Sequence, residues 1–204
     1  MIIVNSMRAR IALLLMIAGL FSILPNSGTA STVIALDLSQ LVASANEIVV
    51  GRVIAKRALR SDSGHIMTEY TLAVSEAVKG SSRPSEHVTM IQPGGSLDGI
   101  GMKVAGTPSF LLNRDYLLFA RSIARADRSG LLLSPVGMSQ GALLIQRDKA
   151  GKQTVMPGSG LHAVSVDDRS RLRPAATAID KPTELSTLLN RVREVIALQR
   201  VPLR

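Results

Sequence analysis

The 204-residue chain has no cysteine and no tryptophan, only two tyrosines and three phenylalanines, and few acids: 15 Asp and Glu stand against 24 Lys and Arg, a formal charge of +9. Lack of cysteine excludes disulfide scaffolds, thiolate zinc sites, iron–sulfur clusters, cysteine nucleophiles and cysteine-linked lipids. Stability must come from an apolar core alone. Charged residues are scarce too, 19% against 46% apolar, which is too greasy a balance for a wholly disordered chain.

What is present begins with a leader. Met1–Arg10 carries Arg8 and Arg10 and no acid, and Ile11–Leu24 carries no charge at all. Pro25 and small polar residues follow, with Gly28 and Ala30 spaced as at a cleavage site, so residues 1–30 are expected to be a secretory signal peptide cut after Ala30. The competing reading, a membrane anchor, needs about 20 apolar residues, and Pro25 stops this run short. Met7-Arg8-Ala9-Arg10 also makes a complete basic segment, which leaves Met7 as an alternative start. The expected location is the periplasm or the extracellular space, with no membrane anchor after cleavage.

In the remainder, Asp37 or Ser39 is placed to cap a short helix through Leu38, Leu41, Val42 and Ala45. The β-branched run Glu47–Ile54 then reads as a strand, and a turn at Ser61–Gly64 leads into Ile66–Val78, where Tyr70, Leu72 and Val74 alternate with polar residues. Val88–Ile91, Tyr116–Ala120, Leu131–Leu133 and Gly137–Gln146 complete the strands. With no helical patterns between them, the expected fold is mainly β: a five- to six-stranded antiparallel barrel over residues 31–150. Residues 151–181 read as an irregular linker. Pro182 opens a helix over 182–199 whose stripe of Leu185, Leu188, Leu189, Val192 and Ile196 must dock, preferably on its own barrel.

The arrangement Asn46-Glu47-Ile48-Val49-Val50-Gly51-Arg52-Val53, then Val74 through Lys79-Gly80, then Tyr116-Leu117-Leu118-Phe119, resembles the oligonucleotide/oligosaccharide-binding (OB) barrel of netrin-like modules and tissue inhibitors of metalloproteinases. It is also similar to exported bacterial proteins of mostly unknown function that carry a Gly-Gly loop (here Gly94-Gly95) and a later Gln-Gly pair (here Gln140-Gly141). The resemblance spans about residues 38–146 and implies the barrel and a partner-binding role. The inhibitors act through an N-terminal cysteine that chelates the target's zinc. The residue after Ala30 is Ser31, and no cysteine exists to replace it.

The candidate binding loop is the excursion from Pro93 to Pro108, with Gly94, Gly95, Asp98, Gly99, Gly101 and Gly106, together with Gln140 and Gly141. Loops of this length without a pattern of their own are often functional. Gly137-Met138-Ser139-Gln140-Gly141 matches the G-x-S-x-G nucleophile elbow, but another strand rather than a helix follows it, which favours a tight bend over a serine hydrolase using Ser139. His65, His87 and His162 have no ligand spacing, so neither metal nor cofactor is expected. Positive charge concentrates after residue 168. Arg169, Arg171, Arg173, Lys181, Arg191, Arg193, Arg200 and Arg204 face only Asp180, Glu184 and Glu194, an electrostatic arm suited to an anionic surface. Few aromatics remain for base stacking, which disfavours nucleic acid. These readings converge on an exported, non-enzymatic binding or accessory module for an envelope or secreted protein or an anionic surface, with a protease-inhibitor-like partner of a secreted metalloprotease and the Ser139 hydrolase as alternatives.

Overall fold

A computed structural model describes residues 31–123, 132–158 and 161–200. The leader falls outside them. The chain runs β1 (Ser31–Ile34), α1 (Leu38–Ser44), β2 (Glu47–Arg60), β3 (Ile66–Lys79), β4 (His87–Pro93), β5 (Gly95–Leu97), β6 (Ile100–Met102), β7 (Asp115–Ile123) and β8 (Leu132–Pro135). A 3-10 turn (Met138–Gly141) follows, then β9 (Ala142–Arg147), β10 (Gln153–Val155), β11 (Leu161–Val166), β12 (Leu172–Pro174), β13 (Thr183–Glu184) and α2 (Leu185–Gln199).

The fold is mainly β with two helices, as expected, but its sheets are larger and more mixed. One sheet has the order β13-β10-β9-β7-β2-β3-β4-β8, and β7 also pairs with β8, so hydrogen-bonded neighbours follow one another around β2, β3, β4, β8 and β7. Most pairs are antiparallel, whereas β4 and β8 run parallel with Thr89 opposite Leu132. A second sheet, β1-β11-β12, joins the first described strand to residues 161–164 through a parallel β1–β11 pair. Two further expectations need correction. Residues 151–181 hold β10, β11 and β12 rather than an irregular linker, and Gly137–Gln146 is a 3-10 turn followed by β9 rather than one strand. β10, β11 and β12 are each short or largely exposed, so they lack the apolar alternation that marks a half-buried strand.

The large sheet is buried on both faces along the start of β2 and the middle of β7, which is why Glu47–Val50 and Tyr116–Ala120 read as continuous runs. Val49, Tyr70, Leu72, Met90, Leu118 and Leu133 fill one side. Ile48, Val50, Leu117, Phe119, Leu143 and Ile145 form the other, against the helices. Asp37 caps α1 through a capping box with Gln40, satisfying otherwise orphaned helix donors. α2 buries Leu185, Leu188, Leu189, Val192 and Ile196 on this second layer, so the helix docks on its own chain. Burial of five such side chains contributes about 1.5–3 kcal/mol each, enough to order a helix that is marginal in isolation.

The Val-Lys-Gly segment closing β3 has a local cause. The buried Glu47 carboxylate accepts from Ser81 N–H at 2.7 Å and Ser82 N–H at 3.1 Å. A Cβ on Gly80, whose φ is 106°, would sit 2.2 Å from that carboxyl. Lys79 Nζ donates to the Val42 carbonyl at 2.7 Å and so ties β3 to the end of α1. Burial pushes the Glu47 pKa up, but the hydrogen bonds from Ser81 and Ser82 outweigh it and hold the group below its ordinary 4.5.

Candidate functional site

The glycine-rich excursion is ordered. Gly94 takes φ 99°, its N–H donates to Ile66 O, and its carbonyl accepts from Thr68 Oγ1 at 2.6 Å. A Cβ on Gly95 would fall 2.3 Å from the same hydroxyl. These contacts turn the chain off β4 into the β5–β6 hairpin, whose two-residue loop is Asp98-Gly99 with φ of 51° and 77°. Positive φ at both positions is what a type I′ hairpin demands. Asp98 is exposed beside Arg60, at 4.0 Å, and a Cβ on Gly101 would meet Ser96 Oγ at 3.8 Å, an ordinary contact.

Beyond the hairpin the loop reaches the 3-10 turn, where Ser139 N–H donates to Gly106 O at 3.2 Å. The two glycine motifs therefore meet. Two clefts flank the contact and share Pro108 and Ser109. One, of about 320 Å³, is lined by Tyr116, Ser139, Leu144 and Met156. The other, of about 350 Å³, lies between the hairpin and strands β2 to β4 and is lined by Lys56, Thr68, Tyr70, Gln92 and Lys103.

Gln92 distinguishes the second cleft. Period two along β4 points Val88, Met90 and Gln92 inward, and Gln92 is only 8% exposed. Its Nε2 donates to Pro108 O at 2.8 Å and to Tyr70 Oη at 3.4 Å, while Oε1 is buried and receives no hydrogen bond. A buried acceptor left in this state costs about 1–3 kcal/mol. Lys56 Nζ lies 5.8 Å from the Tyr70 ring centre, and Phe110 packs tilted against Tyr70 and edge to face against Tyr116. Burial pushes both phenols up in pKa, partly offset by the hydrogen bonds from Gln92 to Tyr70 and from Leu111 to Tyr116, so each stays protonated at neutral pH.

Gln140, only 3% exposed, accepts from Leu36 N–H at 2.8 Å through Oε1 and donates from Nε2 to Ile34 O at 3.0 Å. Gly141 has no room for a Cβ, which would lie 2.4 Å from Val136 O. Both are structural in their contacts: Gln140 clamps β1, and Gly141 lets the 3-10 turn press against β7. Ser139 is buried on that turn, ahead of β9, and the exposed His162 sits in the other sheet. The arginines do not form one arm. Arg171 in the β11–β12 turn and Arg173 on β12 both donate to Asp167, and Arg193 on α2 pairs with Glu76, while Arg169 and Arg191 are exposed. Tyr70, Phe110, Tyr116 and Phe119 are all buried, leaving no exposed aromatic among the described residues.

Sequence reasoning missed Lys56, Thr68 and Gln92. The signal for Gln92 was a polar residue at an inward position of an alternating strand. Among the described residues no group of three His, Cys, Asp or Glu side chains is placed to hold a metal, and no helix is long and apolar enough to cross a membrane. No protein-family description matches the chain, and no curated protein matches it.

Proposed function

We propose that the chain is an exported, non-enzymatic binding module built on a small OB-like barrel, which takes an anionic, hydroxyl-bearing ligand of the cell envelope into the cleft between Lys56, Lys103 and Gln92. The circuit β2-β3-β4-β8-β7 with its parallel β4–β8 closure supports the barrel. The basic, then apolar, then small-residue pattern of residues 1–30 supports export. The observation that carries the binding role is the buried Gln92 carboxamide, whose Nε2 is fixed by Pro108 while Oε1 has no protein donor. Because Oε1 is closed to solvent, a ligand hydroxyl reaches it only as the cleft lining gives way on binding, and two lysines at the same cleft favour a carboxylate beside it.

A short uronic-acid oligosaccharide and its neutral, equally hydroxylated counterpart form the test, measured by calorimetric titration. The acidic sugar is expected to bind saturably, and Lys56→Ala or Gln92→Leu weakens it about tenfold or more, the loss of one hydrogen bond to a charged or buried group. Equal affinity for both sugars, or none for either, overturns the reading. Labelling of Ser139 by a fluorophosphonate, abolished in Ser139→Ala, replaces it with the hydrolase.

A further inference from the structure

A second surface, independent of the Lys56 cleft, lies at the outer edge of β1. Ala35 N–H donates to Val164 O, so the main-chain groups of Val33 and Ala35 face β11, and those of Thr32 and Ile34 face away from it. On that outer side Gln140 makes a two-bond bridge, accepting from Leu36 N–H and donating to Ile34 O as a neighbouring strand would. The Thr32 N–H and C=O and the Ile34 N–H lie further along the same edge. Beside it runs a groove of about 500 Å³ between β1 and the ends of β7 and β8. Ile34, Leu36, Ile123, Val136 and Met138 make its walls apolar, and Ile34 and Ile123 are 54% and 43% exposed. Among the described residues Arg121 is the one charged side chain lining it, and its Nε donates to Ser44 O at 3.2 Å.

We infer that this edge and groove dock an extended polypeptide segment carrying a carboxylate, which adds as a strand beside β1. Three observations converge on that occupant. An outward strand edge offers alternating main-chain donors and acceptors, which an extended polypeptide matches along its length. The apolar walls take alternate side chains of the added strand. Arg121, with no acid among the described residues lining the groove, complements a negative end. Gln140 sets the register by filling one bridge position and leaving the next.

The test uses the purified full chain and three probes: the pentapeptide Val-Thr-Val-Thr-Val with a free C-terminal carboxylate, the same peptide as its C-terminal amide, and the acid form N-methylated at alternate residues. The free acid is expected to bind saturably and to shift and protect the Thr32 and Ile34 amides in NMR and hydrogen exchange. The amide binds several-fold more weakly, the N-methylated form does not bind, and Arg121→Ala equalises acid and amide. Thr32→Pro removes an outward N–H without touching the β11 pairing and weakens the acid peptide. If that variant does not fold, the N-methylated probe still decides the matter. Binding insensitive to N-methylation, shifts confined to other residues, no saturation, or self-association through β1 overturns the inference. Lys56→Ala and Gln92→Leu leave peptide binding unchanged, so failure at one site is separable from failure at the other.

Discussion

The eight-stranded and three-stranded sheets are held together by different forces. In the first, β2 and β7 bury side chains on both faces, and Leu117, Leu118, Phe119 and Ala120 are wholly enclosed. In β1-β11-β12, no side chain that is described is buried, and Ile34, Val166 and Leu172 are more than half exposed. Its order rests on main-chain pairing, the Gln140 clamp, and a turn in which Asp167 Oδ1 accepts from Arg169 N–H and Arg171 N–H. Burial dictates the large sheet, whereas specific polar contacts dictate the small one.

The sharpest way to break this contrast is to truncate matched leucines. Leu188→Ala, in the enclosed layer under α2, is expected to cost about 2–5 kcal/mol in denaturant unfolding, and Leu172→Ala on β12 stays within about 0.5 kcal/mol. Comparable losses from both would erase the distinction. Next comes Glu47. Its carboxyl is depressed in the folded state, so the stability it contributes is present above the unfolded value near 4.5 and is lost as pH falls through the lower folded value. Glu47→Gln is expected to lower stability at neutral pH by about 1.5–3 kcal/mol and to flatten the acid limb below pH 4.5. An unaltered acid limb would remove Glu47 from that role.

Gln140→Leu strands Leu36 N–H and Ile34 O at a cost of about 1–3 kcal/mol, directed at the small sheet. Amide exchange at Val33 and Ala35 should quicken while Leu117 and Leu188 keep their protection, and uniform loss of protection would contradict the assignment. The smallest effect belongs to Asp167→Asn. Its carboxyl is held below the ordinary range by the Arg171 backbone bond, opposed by a little burial and aided by the Arg171, Arg169 and Arg173 donors. The melting midpoint should stay unchanged while exchange within the β11–β12 turn accelerates, and a shifted midpoint would show that this turn supports the whole molecule.

The same contrast explains what could be read from the residues alone. Alternation in Ile66–Lys79 and the stripe from Leu185 to Ile196 announced β3 and α2 because burial imposes a period. β11 and β12 gave no such signal: their side chains are largely exposed, and Gly, Ser, Pro and Arg surround them. At the candidate site, the glycine-rich excursion and the Gln140-Gly141 pair were visible as composition, but the Asp98-Gly99 hairpin was not, and the working residue of the cleft, Gln92, lay in plain alternation with Val88 and Met90. Gln140 drew attention as half of a dipeptide motif. Its role as a surrogate strand depends on Ile34 and Leu36, far away in sequence.

The β1–β11 pair also bears on how the molecule comes to be. Ser31 meets Leu161 and Ile34 meets Val164, so the first described strand waits for residues synthesised long after it. A contact this distant must close a long loop before it contributes anything, and such contacts slow folding. During N-to-C synthesis β2, β3 and β4 have their neighbours in hand almost at once, while β1 stays without a ladder until the last third of the chain arrives. The first described strand is therefore fastened late, and a nascent protein lacking its final third would carry Ser31–Ile34 as an unclaimed strand, open to whatever polypeptide is nearest.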